Sequence, residues 1–156
     1  MKIPPISYGK LIFSLVICQC AGIIGSLFTI PSIPSWYASL IKPSFNPPSY
    51  LFGPVWLVLY FMMGISLYLL LQAKDAKLAL SFFWVQLALN TLWSILFFGM
   101  HLLAVALLEI LLLWICILLT ILYGYKVSKP AAYLLIPYML WVSFASILTY
   151  AIYALN

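Results

Sequence analysis

Five long apolar runs constrain this sequence more than any other feature. They lie near residues 11–30, 51–72, 78–98, 102–123 and 131–154. The hydrocarbon core of a bilayer, ~30 Å thick, needs about 20 residues of helix to span it. Backbone groups in lipid have to be satisfied within the segment, which favours helices over irregular chain. The sequence therefore predicts an all-α membrane protein, a five-transmembrane-helix bundle forming a single domain over residues 1–156.

Composition agrees with lipid as the solvent of this chain. Of its 156 residues 67% are hydrophobic and 6% are charged, whereas a soluble domain carries about 25% charged residues. The net charge of +5 comes from lysines scattered between apolar runs. Such lysines are typical of topology signals and headgroup contacts, so we expect membrane lipid as a partner and no nucleic acid. The first run is too long for a signal peptide and is interpreted as a retained helix.

The lysines also predict an orientation. With five spans, the N-terminus, the turn near residue 74 and the turn near residue 126 share one side of the membrane. That side holds six lysines: Lys2, Lys10, Lys74, Lys77, Lys126 and Lys129. The other side holds Lys42 alone. By the positive-inside rule the N-terminus is cytoplasmic and the 31–50 connector and the C-terminus lie outside, which favours a plasma membrane.

The connector between the first two spans is rich in proline and aromatic residues. The stretch Trp36–Trp56 holds four prolines and six aromatic residues. Prolines restrict the chain, so ordering the connector over a pocket costs less entropy, and residues 31–50 are predicted to form a lid. Lys42 has two alternatives, a contact with a carboxylate at the pocket mouth or plain solvation and a headgroup contact. Pro137 lies inside the fifth run and is predicted to kink it.

Three helix faces mix aromatic with small or polar residues. Residues at spacings of three and four share one face of a helix. One face holds Asn90, Trp93, Ser94 and Phe97; the second holds Trp56, Tyr60, Met63 and Gly64; the third holds Trp141, Ala145 and Leu148. We expect them to converge on a cavity with flat aromatic walls. Interface anchoring remains an alternative for Trp56 and Trp93, and helix–helix bonding remains one for Asn90.

Few residues are available for conventional chemistry. Glu109 is the one acid inside a span, and its alternatives are a hydrogen-bonding partner, a proton carrier or a neutral structural acid. His101 is the sole histidine and is predicted to lie in a turn. The three cysteines show no metal-ligand spacing. We therefore expect no metal and no other cofactor. Small residues at Ala21/Gly25 and Gly22/Ser26 could seat a helix within the bundle or across a dimer.

Several motifs in order resemble one family. They are Trp36-Tyr37, Lys42-Pro43, Pro47-Pro48, Phe52-Gly53-Pro54-Val55-Trp56, Leu59-Tyr60, Gln86–Asn90, Trp93-Ser94, Phe97–Gly99, Pro137-Tyr138, Trp141 and Phe144-Ala145. This series resembles the TspO/translocator protein family, also called tryptophan-rich sensory proteins or peripheral-type benzodiazepine receptors, and in particular its bacterial members. Family members occur in outer membranes as well as plasma membranes, so the choice of membrane stays open.

The resemblance implies a ligand class and an assembly. Family members bind tetrapyrroles such as protoporphyrin IX and isoquinoline carboxamides, and they are commonly homodimers. Some bacterial members are described as degrading porphyrin with light and oxygen, which would make Trp56 and Trp141 catalytic. A porphyrin transporter or stress sensor without catalysis is the alternative, and a water-filled channel is disfavoured by the apolar spans. The predicted ligand-binding residues are Tyr37, Pro47, Pro48, Phe52, Gly53, Trp56, Tyr60, Asn90, Trp93, Ser94, Phe97, Trp141, Ala145 and Leu148.

Overall fold

Five helical spans form the molecule, as predicted. The computed structural model describes residues 6–156, and this part of the chain is helical without strands. The spans that are long and apolar enough to cross a membrane are Tyr8–Tyr37, Ser49–Gln72, Lys77–Gly99, Leu103–Val127 and Lys129–Leu155. The all-α membrane fold is thereby confirmed.

The spans are divided into six α-helices with shorter helical turns at their ends. The α-helices are α1 (Tyr8–Ser32), α2 (Phe52–Gln72), α3 (Lys77–Ser94), α4 (Leu103–Val127), α5 (Lys129–Leu134) and α6 (Ile136–Leu155). Single π-helical turns extend α1 over Ile33–Tyr37 and α3 over Ile95–Gly99, and a 3₁₀ turn, Ser49–Leu51, precedes α2. We call the end with the α2–α3 and α4–α5 turns the lysine end, and the opposite end the connector end.

The first helix is longer than the sequence predicts. It begins at Tyr8 and continues past Pro31 into the π turn, where Pro34 occupies a first-turn position. A proline lacks the N–H of an ordinary helical bond, and the wider turn accommodates it without ending the helix. The Ser35 hydroxyl donates to the Pro31 carbonyl at 2.9 Å. The predicted 31–50 connector is therefore non-helical only between residues 40 and 48.

The fifth span is interrupted as predicted, one step before Pro137. Helix α5 ends at Leu134 and α6 begins at Ile136, with Pro137 in its first turn. The missing N–H of a proline needs no partner at that position. The Met139 amide donates to the Leu135 carbonyl at 2.9 Å, so the chain re-enters helix at once.

The larger of two buried apolar clusters reaches the lysine end, and the smaller one lies at the connector end. Along the bundle α1 packs on α2, α3 on α4, and α4 on α5 and α6. Fully buried side chains from several helices fill the larger cluster, among them Met63, Leu67, Leu70, Phe83 and Ile117. The lipid-facing sides of the spans carry exposed Ile, Leu and Val instead. This division leaves the connector end as the place where a site can form.

Candidate ligand cavity

A cavity of about 460 Å³ lies at the connector end of the bundle. It is enclosed by α1, α2, α3 and α6, together with the two π turns and the residues just before α2. Small-molecule sites typically measure about 300–1,000 Å³ and are lined mainly by apolar and aromatic side chains. The size and the lining of this cavity suit an apolar ligand.

The structure brings together most of the residues that the sequence singled out. Those that line the cavity are Tyr37, Phe52, Gly53, Trp56, Tyr60, Asn90, Trp93, Ser94, Phe97, Trp141, Ala145 and Leu148. Pro47 and Pro48 do not line it. They lie in the connector before the 3₁₀ turn and set the approach of the chain to α2. Their contact with a ligand stays a prediction.

Aromatic rings form the cavity walls and pack against each other in edge-to-face, tilted and stacked pairs. The Trp56 and Trp141 ring centroids are 6.5 Å apart with an interplanar angle of 89°. Trp56 also lies 5.5 Å from Tyr60, and Trp93 stacks on Phe97 at 4.9 Å. Edge-to-face and offset pairs of this kind are the favoured arrangements of aromatic rings. Because Trp56 and Trp93 face the cavity, the geometry favours a wall position over an interface belt for both.

Asn90 connects three helices beneath the cavity. The Tyr60 hydroxyl of α2 donates to Asn90 Oδ1, and Asn90 Nδ2 donates to the Tyr138 hydroxyl of α6 at 2.9 Å. Asn90 and Tyr138 are buried at 4% and 0% exposure. A buried amide in lipid needs such partners. The geometry supports the helix–helix role that was left open for Asn90. Tyr60 and Asn90, which belong to this hydrogen-bond network, also line the cavity.

The remaining polar groups of the cavity are few and uncharged. Ser26 and Thr29 donate to carbonyls of their own helix, Ile23 at 2.7 Å and Gly25 at 3.1 Å. Within the described chain the indole N–H of Trp93 is buried without an acceptor. No charged side chain of residues 6–156 lines the cavity. A ligand carboxylate therefore finds no ion-pair partner inside it.

The connector is held at both of its ends by side-chain hydrogen bonds. The Tyr37 hydroxyl donates to Asn46 Oδ1 at 2.6 Å. The Asn156 amide pairs with the Ile41 backbone, accepting from its N–H at 3.0 Å and donating to its carbonyl at 2.9 Å. Lys42 Nζ donates to the Ala38 and Leu40 carbonyls at 3.2 and 3.0 Å and lies 5.0 Å above the Tyr37 ring. Lys42 is thus engaged in the connector and does not line the cavity.

Helix α1 supplies a wall that the sequence did not predict. Gly22, Gly25, Ser26, Thr29 and Ile33 all line the cavity. A Cβ at Gly22 would lie 2.5 Å from the Tyr60 ring, and one at Gly25 would lie 3.1 Å from Ser94 Oγ. The small-residue spacing of α1 therefore serves contacts within the bundle. The spacing of small residues was the available sequence signal for this wall. Because α1 carries no tryptophan, the signal did not identify it as part of a cavity.

Other residues of interest lie away from the cavity lining. Glu109 is 7% exposed, and in the described chain neither carboxylate oxygen has a hydrogen-bond partner. His101 lies in the α3–α4 turn, as predicted, at a left-handed φ of 58°, and its ring stacks on Trp36 at 4.0 Å. Among residues 6–156 no three His, Cys, Asp or Glu side chains are grouped as a metal site would require.

Comparison with known proteins identifies relatives along almost the whole chain. The sequence model of the TspO/MBR family matches residues 14–155. A tryptophan-rich protein TspO of Archaeoglobus fulgidus is 47% identical over 150 residues, covering 94% of this chain and 97% of the relative. Protein CrtK of Rhodobacter capsulatus is 39% identical, covering 90% and 89%. The translocator protein of Bos taurus is 37% identical, covering 86% and 83%.

Proposed function

Because the chain belongs to the TspO/MBR family, we propose that it is a membrane tetrapyrrole-binding protein whose cavity takes protoporphyrin IX or a similar flat apolar molecule. One observation carries the proposal: indole rings from three helices, Trp56, Trp93 and Trp141, surround a single cavity. Flat rings suit a flat ligand, and each aromatic pair contributes about 0.5–1.5 kcal/mol beyond area burial.

The charge of the lining sets how such a ligand would lie. Burying a carboxylate without a partner is costly in an apolar site. Since the lining of residues 6–156 is uncharged, the macrocycle would occupy the cavity and its carboxylates would point toward the connector end, where the exposed residues Ser49 and Tyr50 line it. There the ends of the connector and the solvent can satisfy them. Pro47 and Pro48 would act on the ligand only through the course of the connector.

A second function is favoured by the crossing of Trp56 and Trp141. In this proposal the protein degrades bound porphyrin in light and air. The porphyrin absorbs the light, dioxygen is the oxidant, and the two indoles are the nearest electron donors. Their centroids lie 6.5 Å apart, so one porphyrin can contact both rings. The protein would supply placement and donors, while the ligand supplies the photochemistry. Transport or stress sensing without catalysis is the alternative.

Titration of purified protein with protoporphyrin IX tests binding and degradation in turn. Added in darkness, the porphyrin should quench tryptophan fluorescence at micromolar concentration. Trp141→Phe should weaken binding by about three- to tenfold, since it removes part of the wall stacking. Phe13, in α1, does not line the cavity, and Phe13→Leu is the matched control. Absence of quenching in the unmodified protein would overturn the proposed ligand.

Illumination of the same samples in air separates the two functions. Loss of the Soret band under illumination supports degradation if the Trp56→Phe and Trp141→Phe variants keep the band. If the band is stable although tryptophan fluorescence is fully quenched, the protein binds porphyrin without degrading it, which favours transport or sensing. Omission of oxygen is the control for the chemistry, because degradation without oxygen would exclude dioxygen as the oxidant.

We further propose the membrane arrangement of the protein. The N-terminus lies in the cytoplasm and the connector outside, with the plasma membrane as the location, because Lys10, Lys74, Lys77, Lys126 and Lys129 lie at the lysine end and Lys42 in the connector. We also propose a homodimer, as the family resemblance implies. Cysteine accessibility at Ser44 and Ser128 to a membrane-impermeant reagent tests the orientation, and mass measurement in detergent tests the dimer.

A further inference from the structure

Helix α1 changes its packing partner along its length. Toward the lysine end it packs on α2. Lys10 Nζ donates to the Leu71 carbonyl at 3.1 Å, and Gln19 Nε2 donates to the Leu57 carbonyl at 3.3 Å. Gly64 of α2 faces Leu15 so closely that a Cβ there would lie 3.0 Å from Leu15 Cα. The contact of Gly22 with Tyr60 belongs to the same interface.

From the level of Ala21 onward α1 also packs on α3. The Thr91 hydroxyl of α3 donates to the Ala21 carbonyl at 3.2 Å, and Gly25 faces Ser94. Closer to the connector end, the Ser32 hydroxyl donates to the Phe98 carbonyl in the π turn after α3 at 2.7 Å. Among the described residues, the Gln19–Leu57 bond is the side-chain hydrogen bond between α1 and α2 that lies closest to the connector end. On the connector side of that bond a gap lies between α1 and α2.

This gap opens into the cavity. Ile23 and Ile30 of α1 and Leu57 of α2 all line the cavity, yet they are 60%, 65% and 61% exposed. Tyr50, in the 3₁₀ turn before α2, also lines the cavity and is 76% exposed. A side chain that lines a cavity and also exposes more than half of its surface lies at an opening. Ile23, Ile30 and Leu57 belong to membrane-spanning helices. The opening therefore faces the bilayer between α1 and α2 and reaches the connector end at Tyr50, and we call Ile23, Ile30 and Leu57 the portal.

We infer that the ligand enters and leaves through the portal, directly from the bilayer, and not from water beneath the connector. The connector is fastened by hydrogen bonds of Asn156 to Ile41 and of Tyr37 to Asn46. An apolar molecule dissolved in the membrane reaches the portal without crossing water or breaking these bonds. This inference rests on the proposed function and specifies its substrates as molecules that partition into lipid.

The rate of protoporphyrin IX binding to protein in phosphatidylcholine vesicles tests the route. Ile23→Trp narrows the portal and should slow both association and dissociation by about tenfold, because passage in both directions is obstructed. Ile23→Ala widens it and should accelerate both. Ile12→Trp is the matched control, since Ile12 is 61% exposed on the same helix and does not line the cavity. It should leave both rates within about twofold.

The competing route makes the opposite prediction. Entry beneath the connector would be accelerated by Asn156→Ala, which removes the hydrogen bonds at Ile41, and would be insensitive to Ile23. Faster binding in Asn156→Ala with unchanged rates in both Ile23 variants would overturn the portal. Equal rates in all variants would overturn it as well.

A second measurement tests the portal without porphyrin, so that its failure is distinguishable from failure of the proposed ligand. In a protein whose native cysteines are replaced by alanine, Ala145→Cys places a thiol on the far wall of the cavity. A membrane-partitioning alkyl maleimide should label it, and added Ile23→Trp should slow labelling by about tenfold, whereas Ile12→Trp should not. Faster labelling by a charged, water-soluble thiol reagent would overturn the lipid route.

Discussion

The two ends of this bundle are built from the same helices with different contacts. At the lysine end the contacts are close: Gly64 lies against the α1 backbone, and Leu67 and Leu70 are fully buried. The Ser66 hydroxyl donates across to the Ala131 carbonyl at 2.8 Å. At the connector end α2 and α6 are held apart by aromatic rings, because the rings of Trp56 and Trp141 pack edge to face.

The comparison shows how a membrane bundle can be rigid at one end and hollow at the other. Helices in lipid associate through packing, which small residues permit by letting backbones approach closely. Large rings that brace each other edge to face leave space that aliphatic side chains would fill. The stability of the fold should therefore depend on the lysine end, and ligand binding on the connector end. Four sets of variants test this division.

The largest effect is expected at Gly64. A Cβ there would meet Leu15 Cα at 3.0 Å and the Ser14 carbonyl oxygen at 3.2 Å, and backbone atoms cannot move aside easily. Gly64→Ala should destabilise the protein by about 1–3 kcal/mol, measured by thermal or SDS-induced unfolding. Gly53→Ala is the control, because no atom lies within 4 Å of its Cβ position. Equal stability of the two variants would contradict the division.

The same substitution at the cavity wall should act on the ligand. A Cβ at Gly22 would lie 2.5 Å from the Tyr60 ring, which is buried and bonded to Asn90 and would have to move into the cavity. Gly22→Ala should therefore cost about 1–2 kcal/mol in stability and weaken protoporphyrin binding by about tenfold. A loss of stability as large as that of Gly64→Ala, with unchanged affinity, would reverse the assignment of the two ends.

An intermediate effect is expected at Asn90, which lies between the two regions. Asn90→Leu leaves the Tyr60 and Tyr138 hydroxyls without their partner. Leaving buried polar groups unpaired costs about 1–3 kcal/mol, and bonds between membrane helices are worth about 0.6 kcal/mol on average. We expect a destabilisation of about 1–2 kcal/mol in SDS-induced unfolding.

A double-mutant cycle with Tyr138→Phe isolates that contribution. If the hydrogen bond matters, Tyr138→Phe should cost much less in the Asn90→Leu background than in the unmodified protein. Strict additivity of the two substitutions would show that the bond contributes nothing and that only the volume of Asn90 matters. Ser81→Ala is a suitable control for a polar change in α3, because the Ser81 hydroxyl donates to the Lys77 carbonyl of its own helix.

The sequence predicted the fold well because lipid limits the alternatives. Five apolar runs give five spans, and the proline at 137 interrupts the last one, since both features depend on local properties of the chain. The end of α1 was predicted wrongly. The first run was predicted to end near residue 30, but a π turn and the Ser35 bond to the Pro31 carbonyl continue the helix. Such compensation is not visible from residue types alone.

The cavity was predictable from α2, α3 and α6 and not from α1. Tryptophan and asparagine at helical spacing identify a wall, because they are unusual on lipid-facing surfaces. Gly22 and Gly25 line the cavity without any group that binds, and they shape it by admitting Tyr60 and Ser94. The polar pairing of Asn90 with Tyr138 was equally hidden, because it depends on the relative rotation of two helices distant in sequence.

The smallest effect is expected at Asn156, whose amide fastens the connector to the end of α6. Asn156→Ala removes both hydrogen bonds to the Ile41 backbone, each worth about 0.5–1.5 kcal/mol net. Because the connector contributes little to the packed lysine end, the free energy of global unfolding should barely change. Hydrogen exchange at the Ile41 amide should instead accelerate by about tenfold.

Asn46→Ala, which removes the acceptor of Tyr37, tests the other fastening in the same experiment. Unchanged exchange at Ile41 would mean that the connector is held by its aromatic contacts alone, and a large loss of global stability would mean that the connector end supports the fold as much as the lysine end does.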